Sequence, residues 1–180
     1  MDIGLTGTNA SGKTTVLRYL TSKGFLHFSL SDILRDELKA RQLEASRENL
    51  IQIGNELRNN FGASVLADRI IQKLDSQNSV IDSIRNPSEV AVLRKLPDFI
   101  LLSLDAPIEA RFQRAQMRQR QENATTLEEF KKMEDLEKSS DPNAQNIVAC
   151  MNLADYKIFN DSTPAKLFKA LDEILARAKL

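Results

Sequence analysis

The sequence predicts a three-layer α/β fold, in which helices cover both faces of a five-stranded parallel sheet. Five short apolar runs alternate with longer stretches of helical periodicity, which is typical of βα units. A glycine-rich string, Gly-Thr-Asn-Ala-Ser-Gly-Lys-Thr at 7–14, joins the first run to the first helical stretch. The length of 180 residues gives room for one domain with its own core and is short for two.

The five apolar runs define the predicted strands. Each run is bounded by polar or turn-forming residues and is too short to be a helix of ordinary length. The predicted strands cover residues 2–6, 25–28, 80–82, 99–105 and 156–160.

The helices between the strands are marked by capping signals. Asn86, Pro87 and Glu89 place a cap, a first-turn proline and a capping-box carboxylate in the right order. Similar signals stand at 126–129, 141–142 and 163–164. The stretch 31–75 is too long for one crossover helix, so we predict a helical insertion that holds a second substrate. One helical face in it is apolar and comprises Leu50, Ile53, Gly54, Leu57 and Phe61.

The string at 7–14 has the full spacing G-x-x-x-x-G-K-[ST] of a phosphate loop, which predicts a nucleoside triphosphate and Mg²⁺ as ligands. Gly7 and Gly12 allow turns in which consecutive N–H groups converge on phosphate oxygens. Lys13 is predicted to bridge the β- and γ-phosphates, and the Thr14 hydroxyl to ligate Mg²⁺. The nucleotide-binding set is therefore Gly7, Thr8, Asn9, Ala10, Ser11, Gly12, Lys13, Thr14 and Thr15.

A second group of charged residues follows the third and second strands. Asp82 stands at the carboxyl end of a strand, where open α/β sheets bind ligands, and could hold Mg²⁺ or accept a proton. Arg85 is predicted to clamp a phosphate in the same crevice. At the start of the insertion, Arg35 is a candidate ligand of an acceptor phosphate. Asp32 and Arg58 complete the predicted substrate-binding set.

A row of arginines follows the fourth strand. Arg111, Arg114 and Arg118 have the spacing i, i+3, i+7 and therefore share one stripe of a helix. Because a polar segment comes next, we predict a lid over residues 111–139 that brings positive charge to the transition state. Arg114 and Arg118 are its best candidates, and with Lys13, Asp82 and Arg85 they form the predicted catalytic set.

Composition excludes several classes of protein. Twenty-five basic and twenty-five acidic side chains cancel, so the bulk charge gives no sign of nucleic-acid binding. A single cysteine, Cys150, excludes an internal disulfide and is predicted to be an inert core thiol. Lys13 and Arg18 interrupt any N-terminal apolar stretch, and no run approaches the length of a membrane span, so we expect a cytoplasmic protein. We expect a monomer or weak dimer.

The loop after the last strand is predicted to contact the nucleotide base. Asn160, Asp161 and Ser162 form a polar turn that would lie beside the phosphate loop. This turn resembles the adenine loop of dephospho-CoA kinases. The guanine-reading motif of GTP-binding switches is absent, and we therefore expect ATP.

The chain as a whole resembles the nucleoside monophosphate kinase group of P-loop proteins. Ser31, Asp32 and Arg35 look like the segment with which adenylate kinases grip the acceptor, and Asp82-Ser-Ile-Arg85 stands where those enzymes have Asp-Gly-x-Pro-Arg. The likeness is greatest to adenylate-kinase-related proteins, including a kinase-like domain found ahead of deoxycytidylate-deaminase-like domains. Three strings are shared with them: Gly-Thr-Asn-x-x-Gly-Lys, Arg-Asn-Pro-Ser-Glu-Val, and Ser-x-Asp-Pro-Asn-x-Gln-Asn.

The resemblance implies strand order 2-3-1-4-5 and one kinase domain over 1–180. The core would comprise 1–30, 76–110 and 140–180, the acceptor-binding insertion 31–75 and the lid region 111–139. The leading hypothesis is Mg·ATP-dependent transfer to a nucleotide-like small molecule, with a (deoxy)nucleoside monophosphate or dephospho-CoA as the acceptor. A hypothesis of another class is a nucleotide-gated binding protein or switch with slow ATP hydrolysis.

Overall fold

Five parallel strands form one sheet, and the predicted fold class and strand order are confirmed. A computed structural model describes residues 1–117, 125–136 and 143–178. The strands are β1 (Asp2–Gly7), β2 (Leu26–Ser29), β3 (Ser79–Asp82), β4 (Phe99–Asp105) and β5 (Tyr156–Phe159), and they lie in the order β2-β3-β1-β4-β5. Every strand lies within one residue of its predicted bounds at each end.

The described helices connect these strands and lie on both faces of the sheet. They are α1 (Lys13–Ser22), α2 (Leu30–Ala40), α3 (Arg47–Phe61), α4 (Val65–Ile71), α5 (Pro87–Leu93), α6 (Ile108–Met117), α7 (Leu127–Leu136), α8 (Ile147–Asn152) and α9 (Pro164–Ala178). The predicted signal at Asn86 is a complete capping box, because its side chain accepts from Ser88 N while the Glu89 carboxylate accepts from the Asn86 N–H. The signal at 141–142 lies outside the described residues.

Two apolar clusters hold the layers together, one on each face of the sheet. Leu20 of α1 and Leu171 of α9 pack with Leu5 on one face. On the other face, Leu38 and Leu57 of the insertion helices pack with Ile81. Because each cluster contains fully buried strand residues, the sheet is covered on both sides as a parallel sheet requires.

The apolar face predicted on α3 is mostly correct. Ile53 and Leu57 are buried, and Leu50 is partly buried against the same cluster. Phe61 was wrongly placed in that face, since its side chain is 63% exposed. Its ring lies 5.7 Å from the guanidinium carbon of Arg69 instead. Phe61 is the last residue of α3, where the apolar face is no longer covered by the core.

Cys150 lies on α8 with no exposed surface, as predicted for a core thiol. Burial, with a smaller contribution from the nearby Glu89 carboxylate, raises the pKa of Cys150 to about 12. At pH 8 only about one molecule in ten thousand would carry the reactive thiolate. We expect Ellman's reagent to label the native protein only as fast as it unfolds, and to label it promptly in guanidinium. Rapid labelling of the native protein at pH 8 would contradict this placement.

Within 1–117, 125–136 and 143–178, no helix combines the length and the apolar content needed to cross a bilayer.

Candidate functional site

The phosphate loop joins β1 to α1 at the carboxyl edge of the sheet. Gly7 has φ 132° and Gly12 has φ 111°, which are backbone conformations that favour glycine. A Cβ atom on Gly7 would collide with the Leu104 carbonyl oxygen, and one on Gly12 would collide with the side-chain amide of Asn160. Both glycines are therefore required by the path of the loop as well as by the motif.

Lys13 and Thr14 begin α1, where helix N–H groups have no acceptor within the helix. The Lys13 Nζ atom donates to the carbonyl oxygens of Gly7 at 2.7 Å and Thr8 at 2.6 Å, so the ammonium group lies over the loop. Thr14 is exposed. Within the described residues, Ser11 Oγ is buried and has no hydrogen-bond partner. A cradle of glycine turns, a lysine and a helix N-terminus fits a phosphate chain.

Asp82 ends β3, the strand beside β1, and faces the same edge as the loop. Its Oδ1 atom accepts from Ser83 Oγ at 3.1 Å and lies 3.5 Å from His27 Nε2. Ser83 has φ 64° and shares a hydrogen bond of 3.1 Å with Ser29 on β2. These neighbours fix a half-buried carboxylate next to the loop, where it suits a Mg²⁺ held by phosphate oxygens and Thr14.

Arg85 is anchored to the segment before α8. Its guanidinium donates to Gln145 Oε1 at 3.0 Å, and its carbonyl oxygen accepts from Asn146 N at 2.7 Å. The backbone N–H of Arg85 donates to Glu89 Oε2 at 2.9 Å. The side chain is half-buried at the same sheet edge as Asp82, so its predicted place in the crevice is compatible with the fold.

Arg58 does not occupy the place predicted for a substrate ligand. Its side chain is only 3% exposed, and it forms an ion pair of 3.2 Å with the fully buried Glu89. Burial raises the pKa of Glu89 above its ordinary value, although Arg58 and the backbone N–H groups of Arg85 and Asn86 act in the opposite direction. Because a ligand could reach Arg58 only by separating a buried ion pair, we withdraw it from the acceptor site.

Asp32 and Arg35 lie in the first half of α2, directly after β2. Arg35 donates to Asp32 at 2.7 Å, and both side chains are more than half exposed. The Arg35 side chain is therefore accessible to an incoming anion. Its role as an acceptor ligand stays a prediction.

Arg114 lies near the loop that follows β5. One of its terminal nitrogens donates to the Asn160 carbonyl oxygen at 3.1 Å. The other is buried and has no hydrogen-bond partner among the described residues. The catalytic role of Arg114 stays a prediction, and Arg118 lies outside the described residues. Arg111, the third member of the stripe, is buried.

Asn160 is hydrogen-bonded to the phosphate loop through its side-chain amide. Its Nδ2 atom donates to the Ser11 carbonyl oxygen at 2.8 Å, and its N–H donates to the Asp105 carbonyl oxygen at 2.7 Å. Asn160 is buried, Asp161 is exposed and Ser162 is half-buried. The predicted turn thus lies beside the loop, and its contact with a base stays a prediction.

Asp105 is a site residue that the sequence reasoning missed. It ends β4, and its Oδ1 atom accepts from Thr8 Oγ1 at 2.7 Å and from Ala106 N at 2.9 Å. Its signal was the same as that of Asp82, an aspartate at the carboxyl end of a buried strand. The rule that singled out Asp82 at the end of β3 also applies to Asp105 at the end of β4.

Comparisons with known proteins agree with this architecture. The family model described as AAA domain matches residues 6–131. A UPF0200 protein of Hyperthermus butylicus is 31% identical over 176 residues, which cover 96% of this chain and 88% of that protein. A UPF0200/UPF0201 protein of Archaeoglobus fulgidus is 29% identical over 97% of this chain. The chain spans only 55% of that relative's length.

Solved structures show the same fold. A shikimate kinase from Bacteroides thetaiotaomicron matches with a TM-score of 0.64 and 13% identity, covering 98% of each chain. A shikimate kinase from Acinetobacter baumannii matches with a TM-score of 0.60 and 19% identity, covering 98% of this chain and 93% of that one. At these identities the likeness establishes a P-loop kinase-like fold and leaves the substrate to other evidence.

Proposed function

This chain belongs to the AAA domain family and to the UPF0200 family, and we propose that it transfers the γ-phosphoryl group of Mg·ATP to a nucleotide-like acceptor. The observation that carries the proposal is the presence of cationic side chains after neighbouring strands at one edge of the sheet. Lys13 follows β1, Arg85 follows β3 and Arg35 follows β2. A triphosphate site beside a second anion site suits transfer between two bound molecules.

On the donor side, the proposal gives each residue of the cradle a task. The N–H groups of the loop and Lys13 would hold the phosphates, with Asn160 keeping the Ser11 peptide in place. Thr14 and Asp82 would hold Mg²⁺, which when bound neutralises charge on the phosphate oxygens. Arg114 would add positive charge as the phosphoryl group moves.

On the acceptor side, Arg35 and Arg85 would bind the acceptor's phosphate. A (deoxy)nucleoside monophosphate would receive the new group on a phosphate oxygen, and dephospho-CoA would receive it on a ribose hydroxyl. Only the hydroxyl acceptor must lose a proton, which the nearby Asp82 carboxylate could accept. We place the nucleoside monophosphate first, because the segment at 31–35 and Arg85 resemble the acceptor-binding residues of adenylate kinases.

A coupled assay of ADP release tests the proposal, run with nucleoside monophosphates, deoxynucleotides and dephospho-CoA. We expect one acceptor to stimulate ADP release. Arg35→Ala should then raise the KM for that acceptor roughly 10- to 100-fold, since a charged hydrogen bond contributes about 1.5–3 kcal/mol.

The matched control is Lys39→Ala, which removes an exposed cation one turn further along α2. This variant should keep the wild-type KM for the acceptor. Uniformly slow ADP release that no acceptor and neither substitution changes would contradict the kinase and favour a nucleotide-gated switch.

A further inference from the structure

Helix α7 and the phosphate loop contribute to the same small apolar cluster. Ala10, in the middle of the loop, has φ 57° and is only 4% exposed. It forms one small apolar cluster with Ala115 of α6 and Phe130 of α7, each 3% exposed. A helix far along the chain therefore shares a buried cluster with the loop that is proposed to hold the triphosphate.

Arg111 forms a second, polar link between the same elements. Arg111 is 6% exposed. Its guanidinium donates to the Ala106 carbonyl oxygen at 2.9 Å and contacts the Asn9 carbonyl oxygen at 3.5 Å. The same guanidinium pairs with Glu134 of α7. Its Nε atom lies 3.6 Å from Asp105 Oδ1, the atom that also accepts from the Thr8 hydroxyl. One buried cation thus joins the loop, the end of β4 and α7.

We infer that Arg111 is a positioning residue for the phosphate loop, and that its ion pair with Glu134 couples the loop to the packing of α7. The inference rests on the proposed function, because it concerns the proposed donor site. Arg111 contacts the Asn9 carbonyl oxygen, and Phe130 belongs to the same apolar cluster as the neighbouring Ala10. By reciprocity, a nucleotide that orders the loop must also stabilise the packing of α7.

The contacts of Arg111 distinguish it from a residue that binds the transferred group. The Nε atom and one terminal nitrogen of its guanidinium already contact two carbonyl oxygens and two carboxylates. Arg114, one turn along the same helix, has a buried terminal nitrogen without a hydrogen-bond partner in the described part of the chain. Arg111 therefore acts through the loop, and Arg114 is the candidate for direct contact with a phosphate.

The positioning role of Glu134 can be separated from its direct repulsion of a bound triphosphate. Glu134 is a negative charge near a site proposed for a triphosphate, so neutralising it would by charge alone tighten nucleotide binding. If Glu134 instead holds Arg111 in place, neutralising it should weaken nucleotide binding. The two effects have opposite signs.

The test is isothermal titration of the full chain with Mg²⁺ and AMP-PNP, a non-hydrolysable ATP analogue. We expect Glu134→Gln and Arg111→Lys each to raise the Kd about 5- to 20-fold. The matched control is Glu128→Gln, which removes the same charge from an exposed position on α7. It should leave the Kd within about twofold of the wild type.

Hydrogen exchange gives a readout that a merely structural role would not change. AMP-PNP should slow amide exchange in residues 127–136 of the wild type at least several-fold, and much less in Glu134→Gln. Unchanged or tighter binding by Glu134→Gln overturns the inference and leaves the proposed function intact. If Arg111→Lys does not fold, the Kd and the amide exchange of Glu134→Gln are sufficient to test the inference. A wild type that binds no AMP-PNP overturns the proposed function, and the inference with it.

Discussion

Replacing Lys13 with methionine should lower acceptor-dependent ATP turnover by about 10²- to 10³-fold, equivalent to roughly 2.7–4 kcal/mol of transition-state stabilisation. The Lys13 Nζ atom already lies over the loop, within hydrogen-bond distance of the Gly7 and Thr8 carbonyl oxygens. Its charge is therefore pre-positioned where the β- and γ-phosphates are proposed to lie. Methionine keeps most of the length of the side chain and removes the charge.

The measurement is kcat and KM in the coupled assay, together with the midpoint of urea unfolding. Arg18→Met is the matched control, because Arg18 is an exposed cation further along the same helix. We expect Arg18→Met to keep both turnover and stability. Turnover by Lys13→Met within tenfold of the wild type would refute the donor site proposed for this loop.

The features that the sequence predicted best depend on residues near one another in the chain. The strand β4 was predicted at 99–105 and is found there, because a short, mostly apolar run is typical of a strand that is buried on both faces. The phosphate loop and the capping box at Asn86 are equally local. Such features involve a few consecutive residues, so pattern and spacing are sufficient to identify them.

The features that the sequence could not predict depend on contacts between distant residues. Arg58 meets Glu89 across 31 positions of the chain, and Arg111 meets Glu134 across 23. Helical periodicity indicated which face of a helix is apolar, but an arginine at the border of that face can point to solvent or to a buried carboxylate. Nothing in the spacing of Arg111 and Arg114 showed that the first is buried and the second only half-buried.

Replacing Arg58 with methionine should reduce the free energy of unfolding by about 3–5 kcal/mol at neutral pH. Methionine fills similar volume but leaves the Glu89 carboxylate buried without its cation. Glu89 also accepts the N–H groups of Arg85 and Asn86, so it cannot turn to solvent without breaking the capping box of α5. An exposed pair gives the control: Lys73→Met, which removes the cation 3.6 Å from Asp36, should cost less than about 1 kcal/mol.

The loss of folding stability caused by Arg58→Met should increase as the pH rises from 4.5 toward neutral. Burial raises the pKa of Glu89 above its ordinary value of 4.5, and loss of Arg58 removes the main opposing charge. A group with a raised pKa in the native state stabilises most below its unfolded pKa, and this contribution is lost as pH rises through the native pKa. The difference in stability between wild type and Arg58→Met should therefore be smallest near pH 4.5 and grow toward neutral pH.

Urea unfolding of the wild type, Arg58→Met, Glu89→Gln and the double variant would give a double-mutant cycle for this ion pair. Glutamine keeps an oxygen that can accept from the backbone at the start of α5. Because it is uncharged, it leaves no unpaired buried charge when Arg58 is absent. The double variant should therefore be more stable than the sum of the two single losses implies, by about 0.5–3 kcal/mol. Strict additivity, or a cost of Arg58→Met that is constant from pH 4.5 to 7, would mean that Arg58 contributes only packing. Its reassignment from the acceptor site to the buried ion pair would then be wrong.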